Sequence, residues 1–352
     1  MHALVEAAHD LCSAVDGVDW SAAEVRDCGE RLAGAADVTP EVLAEACAVL
    51  IERLKHSAVD DADGASQVAI AAGTLVERGA PADPLARILR AHLPSVLLSA
   101  RRFADRCLEE LPPPSDDGDD PDDETLIQVD DRCISGERFR ELLPLDRSGG
   151  CALVYLEQWV LPAIASLSRC RPELVRAQAD KVLREAAVTM SRSDAHFLPV
   201  LLDAELGQRW TVHVPGTRRS FEVELEGVVS NFDLHALLAA ALVPLGVPGT
   251  APSPALLAFI EGHGPAPPDG FVGGTWNLYD HRALAHDVSD PRGVPHECWI
   301  WGEGRPAHVI QGSGQRTIVV GPAAYERTWN VGRVFSALPQ SLKVLRELPS
   351  SG

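Results

Sequence analysis

The hydrophobic period of this chain first changes near Phe197, from a spacing of three and four residues to alternation, and that change divides what it can fold into. Before it, Leu4, Val5, Ala8, Leu11, Cys12 and Val15 fall on one face of a helix, as do Leu43, Cys47, Leu50 and Leu54. Thr39 before Pro40 and Asp83 before Pro84 read as helix starts, and Gly79 as a stop between two helices. The first 111 residues are therefore expected to form five helices, packed as an antiparallel bundle or a short helical-repeat array. The last of them, from Leu85 to about Leu111, carries Pro94 and should bend there.

Residues 112–124 read PPPSDDGDDPDDE, with seven carboxylates and no apolar side chain, and are expected to be a disordered acidic linker. Helices resume over 125–192, marked by Tyr155, Trp159, Ile164 and Leu167, then by Leu174, Val175, Val182 and Leu183 in a segment opened by Pro172 and Glu173. They are expected to extend or close the helical layer.

Residues 193–352 read as a Trp-rich α+β domain with a mostly antiparallel sheet, which makes the whole chain an α+β protein. Trp210–Val214 and Phe221–Leu225 alternate around Pro215 and Gly216 as a hairpin does. Helices are expected over Asn231–Leu242 and Ser253–Glu261, and a loop over 262–274. Short strands are expected at Thr275–Tyr279, Cys298–Trp301, Ala307–Ile310, Thr317–Val320 and Ser341–Leu348.

The balance of 31 basic against 51 acidic side chains, a formal charge of -20, argues against a nucleic-acid partner, because that affinity needs a dense basic face. No apolar stretch reaches the roughly 20 residues of a membrane span, and no secretory signal fits the N-terminus, which points to a cytoplasmic protein. The eight cysteines contain no C-x-x-C pair and read as reduced, buried thiols. The abundance of Ala and Arg over Lys suggests a GC-rich bacterial source.

Two groups of residues could carry function. Trp276, Tyr279, Trp299, Trp301, Tyr325 and Trp329 supply large apolar area with polar handles and could rim a ligand groove. The competing expectation is core packing, with Trp299 and Trp301 on one strand face beneath the helix Asn231–Leu242, and His296 and Cys298 on the other face in an open cleft. His281, His286, His296 and Cys298 could ligate zinc or iron, with Glu297 or Glu303 as general base, although their spacing matches no standard zinc signature. His235 reads as an ordinary helical histidine, satisfied or partly exposed. Gly302–Ala307 fits the dinucleotide pattern only formally, since no helix follows it.

The expectation from these patterns is a cytoplasmic binding or adaptor protein, with a helical interaction domain and a Trp-rich domain for a protein, peptide or small molecule. No cofactor is expected in that case. The alternative is a metal-assisted hydrolase at the His/Cys/carboxylate set.

Overall fold

A computed structural model describes residues 2–16, 21–57, 62–109, 127–129, 132–190, 193–267, 270–312, 314–330 and 332–349. The expected acidic linker at 112–124 lies outside them. The chain divides into two compact units, residues 1–202 and 203–352, so the division falls at Leu202 rather than at 192.

The first unit is helical. Helices α1 (Ala3–Asp16), α2 (Ala22–Gly34), α3 (Pro40–Lys55), α4 (Ala62–Glu77) and α5 (Ala82–Glu109) bury the faces their spacing marks, including Leu4, Leu11, Leu50 and Leu54. Pro40 occupies the first position of α3, where its missing N–H costs nothing. Gly79 ends α4 with φ 113°, a conformation that side chains with a Cβ avoid. Helix α5 begins one residue before the expected cap, so Asp83 lies in its first turn and pairs with Arg87 at 2.7 Å.

A short antiparallel pair, β1 (Ile127–Val129) and β2 (Arg132–Ile134), precedes α6 (Gly136–Leu142), α7 (Arg147–Val154), α8 (Leu156–Leu167), α9 (Arg171–Ala179), α10 (Lys181–Thr189) and α11 (Phe197–Leu202). Helix α8 packs on α4 so closely that a Cβ on Gly73 would come within 2.5 Å of Pro162. The apolar positions between Leu174 and Leu183 belong to two helices, because Asp180 leaves helical geometry and caps α10 by accepting from the Leu183 N–H. Glu173 on α9 is wholly buried, 2.8 Å from Arg90 on α5, and also meets Arg176. Burial works to raise its pKa, but the hydrogen bonds and charges of Arg90 and Arg176 hold it net below the ordinary glutamate value.

Among the described residues no single helix is long and apolar enough to cross a membrane; α7 and α8 reach that length only together, across a 56° bend.

The second unit is built on a five-stranded sheet: β3 (Glu205–Val214), β4 (Arg219–Val228), β6 (Trp276–Asp280), β7 (Arg316–Pro322) and β9 (Ser341–Leu348), in the order β6-β7-β3-β4-β9. All neighbours are antiparallel except β3 and β7. The expected hairpin forms in the register Trp210↔Val223 and Val212↔Phe221, turning through Pro215–Thr217 with Arg218 left-handed at φ 55°. A second small pair joins β5 (Phe271–Gly273), inside the expected loop, to β8 (Thr328–Asn330).

Alternation decides the two sheet faces. Trp210, Val212, Phe221, Val223, Ile318, Val320 and Leu278 point into a core closed by helices α12 (Asn231–Leu242) and α13 (Pro254–Glu261). On the other face Tyr279 and Val319 form a smaller core with Ala283, Val288, Val294 and Cys298, all from the long connection between β6 and β7.

That connection corrects two expected strands. Residues 296–298 and 306–308 are single 3-10 turns, each set up by a proline that fixes φ; Trp299 bridges to the sheet opposite Tyr279, and the Ile300 N–H donates to Leu278 O at 2.9 Å.

Candidate functional site

A cleft of about 660 Å³ opens in the second unit beside the hairpin turn. Its walls come from Val214–Thr217, from Val247 and Pro248 after α12, from Trp276, from the connection at Ala283–Ser289, and from Val319–Pro322. Each wall has a local cause. Trp276 is fixed by donating its indole N–H to Pro248 O at 2.8 Å. Asp280 ends β6 and caps the next turn by accepting from the Arg282 N–H at 2.9 Å, while the Arg282 guanidinium clasps the same carboxylate. Asp287 accepts from both the N–H and the hydroxyl of Ser289, at 3.0 and 2.6 Å, which holds the rim. Those hydrogen bonds also keep the Asp287 pKa below the ordinary aspartate range.

The aromatic residues singled out from the sequence do not rim one groove. Trp276 and Trp329 gather around His235 on α12, with ring centroids 5.9 and 5.0 Å from the imidazole, and Trp329 also meets Phe232 at 5.1 Å. Tyr279 is wholly buried and meets Trp299 edge to face at 5.6 Å. Trp301 stacks on Trp299, and His296 lies against both rings, at 5.3 and 6.0 Å. Tyr325 is exposed, with the Arg327 guanidinium 5.7 Å from its ring.

This overturns the expected assignment of faces. In a 3-10 turn residues two apart do not share a side, so Cys298 turns into the core beneath Tyr279 while His296 stays exposed with the tryptophans. Trp299 is half-buried and Trp301 exposed, rather than both lying beneath α12. Two contacts nevertheless tie this loop to α12: Asn231 donates to Trp301 O at 2.7 Å, and Gly302 lies against Phe232 where no Cβ would fit.

The proposed metal ligands are not brought together. Among the described residues no group of three or more His, Cys, Asp or Glu side chains could hold an ion. His281 Nδ1 lies 3.2 Å from Ile310 O, His286 sits at the cleft rim, His296 packs on tryptophan, and Cys298 is buried where desolvation pushes its thiol pKa up, away from the thiolate a metal needs. Glu297 and Glu303 are exposed on separate turns.

His235, expected to be an ordinary helical histidine, satisfied or partly exposed, is buried among Trp276 and Trp329. It is 3% exposed, and its Nε2 accepts from the Trp276 N–H at 3.3 Å. Burial, with a smaller contribution from the Arg327 charge, lowers its pKa to about 4, so the ring is neutral at pH 7. The available signal was that Asn231, Asp233 and His235 occupy a helix otherwise made of Leu, Ala and Phe; all three are buried.

Compared with known proteins, the chain matches no family model, no curated protein and no solved structure at a significant level.

Proposed function

We propose that the chain is a binding or adaptor protein whose second unit takes a small molecule or a peptide side chain in the cleft beside the hairpin turn. The observation that carries this reading is the cleft itself. Its volume of about 660 Å³ lies within the usual ligand range of roughly 300–1,000 Å³, and its walls are mainly apolar with a few polar groups at the rim, the composition that favours capture of a largely apolar group. Leu284, an exposed leucine at the rim, supports it, since burying that side chain gives a ligand apolar area to cover.

The helical unit would supply the contact with a protein partner. A concavity of about 510 Å³ lined by Leu11, Val25, Arg26, Leu32, Ile70 and Tyr155 favours that role. Seven free thiols among the described residues are in keeping with a reducing compartment, and the cytoplasm is the proposed location.

The test is a titration of the full chain with a panel of short peptides and apolar fragments, read by tryptophan fluorescence. Saturable binding that Leu284→Asp removes, and that Trp301→Ala leaves intact, is the expected result. Binding indifferent to Leu284→Asp would place recognition elsewhere and overturn this reading.

A further inference from the structure

Three shielded hydrogen-bond donors at and around His235 have no partner among the described residues. Because Nε2 accepts from a backbone N–H, the neutral ring must carry its proton on Nδ1, and that Nδ1–H has no partner among the described residues. Trp329 Nε1 and Arg327 Nε are two further shielded donors without a partner. An unpaired buried donor costs about 1–3 kcal/mol, so an acceptor that reaches these three groups is stabilised by them.

They belong to one locality. The Trp329 ring meets the His235 ring edge to face at 5.0 Å, and the Arg327 charge is felt at His235. Arg327 is placed by two contacts that leave its charge uncompensated: one terminal nitrogen donates to Trp276 O, and the guanidinium faces the Tyr325 ring. It pairs with no carboxylate among the described residues. The nearby acid Asp233 is two residues from His235 and so on another side of α12, where it accepts from Gln340 at 3.0 Å.

We propose that His235, Arg327 and Trp329 form a binding site for the carboxylate or phosphate of a small aromatic molecule. The anionic oxygens would accept from His235 Nδ1, Trp329 Nε1 and the Arg327 fork, a charge-assisted set suited to planar or tetrahedral oxyanions. The aromatic body would lie against Trp276, Trp329 or Tyr325. Arg327 is half-buried and Tyr325 is 55% exposed, so the approach from solvent runs along these two side chains. The donors are distinct from the polar rim of the cleft, and Trp276 is the one residue that both places touch.

The experiment titrates the full chain with phenylacetate, phenyl phosphate and the neutral phenylacetamide, following the imidazole nitrogens of His235 and the indole N–H of Trp329 by NMR. Saturable binding of at least one anion, with both resonances moving and the amide silent, is expected; the two anions separate a carboxylate from a phosphate site. Arg327→Gln should weaken that anion about tenfold, the equivalent of one charge-assisted hydrogen bond, and Leu284→Asp should leave it unchanged. If Arg327→Gln does not fold, Arg327→Lys keeps the charge without the fork and should weaken binding by a smaller factor. The proposal is overturned if neither anion moves these resonances, if the amide binds as well as the anions, or if folded Arg327 variants bind like the parent. Loss of anion binding in Leu284→Asp would also overturn it and would assign the anion to the cleft.

Discussion

Trp301 stacks on Trp299 with ring centroids 5.0 Å apart and planes 24° from parallel, and the outer ring of the pair is 44% exposed. Stability should therefore depend little on it. Trp301→Ala is expected to cost under about 1 kcal/mol, as surface substitutions do, whereas Trp210→Ala in the sheet core should cost about 3–5 kcal/mol. Urea unfolding of both variants decides this. A cost at Trp301 comparable to that at Trp210 would mean that the loop, and not the helix and sheet core, holds the second unit together.

How much of this was legible follows from how local each cause is. The β3–β4 hairpin could be read because alternation and the Pro215-Gly216 turn are neighbours in sequence. The stretches 298–301 and 307–310 are rich in apolar residues but are not strands, since Pro295 and Pro306 start turns there and pairing with the sheet is confined to Trp299 and the Ile300 N–H among the described residues. His235 was legible as helical but not as buried, because what covers it is Trp276 and Trp329, supplied by distant segments. The cleft was invisible for the same reason, as its walls come from five separate stretches.

His235 should leave a signature in the acid stability of the second unit. An unfolded histidine titrates near 6.5, while the buried ring holds its proton only below about 4. Between those values the unfolded chain binds a proton that the native state refuses. Stability is therefore intact above about pH 6.5 and is lost as pH falls toward 4, by about 3 kcal/mol in all. Asp233 and Glu205, whose pKa values burial raises, act with the opposite sign, so the quantity to measure is the difference between the parent and His235→Gln. That difference should depend on pH only within this window, and a constant offset from pH 8 to 4 would contradict the burial of the ring.

In the helical unit, Glu173→Ala leaves Arg87, Arg90 and Arg176 without the carboxylate that all three approach. Breaking a fully buried pair costs about 3–5 kcal/mol, but Arg176 is largely exposed and water screens part of the loss, so about 1–2 kcal/mol is expected. Chemical denaturation followed by circular dichroism reads this, since α5 and α9 are what the carboxylate joins. Because the Glu173 pKa lies below its unfolded value, its contribution should persist at neutral pH and fade as the solution is acidified through the glutamate range.

Two glycines separate backbone from side-chain constraint. Gly227 has φ 72°, and a Cβ there would lie 1.9 Å from the carbonyl oxygen of Pro339, an atom that cannot swing aside. Gly227→Ala should cost about 3 kcal/mol or more. At Gly302 the obstruction is the Phe232 ring, which can change rotamer, so Gly302→Ala should cost less and should alter the environment of Trp329, the ring that Phe232 meets. Thermal unfolding ranks the pair, and the reverse order would refute this distinction.

The single parallel seam, β3 against β7, sets a timetable for the second unit. Val212 lies beside Phe221 of the hairpin and beside Ile318 of β7, but on the order of a hundred residues separate it from the latter. A hairpin closes in about 1–10 μs, whereas a ribosome adds roughly 5–20 residues per second. The β3–β4 hairpin can therefore close about 5–20 s before the strand that covers its inner edge has been made, and β9, which covers the other edge, follows later still. For that interval both flanks of a Val- and Trp-bearing hairpin are open templates for any extended peptide. A nascent chain stalled before Arg316 is consequently the species in which this protein is most exposed to mispairing, and the one that a folding chaperone would have most reason to hold.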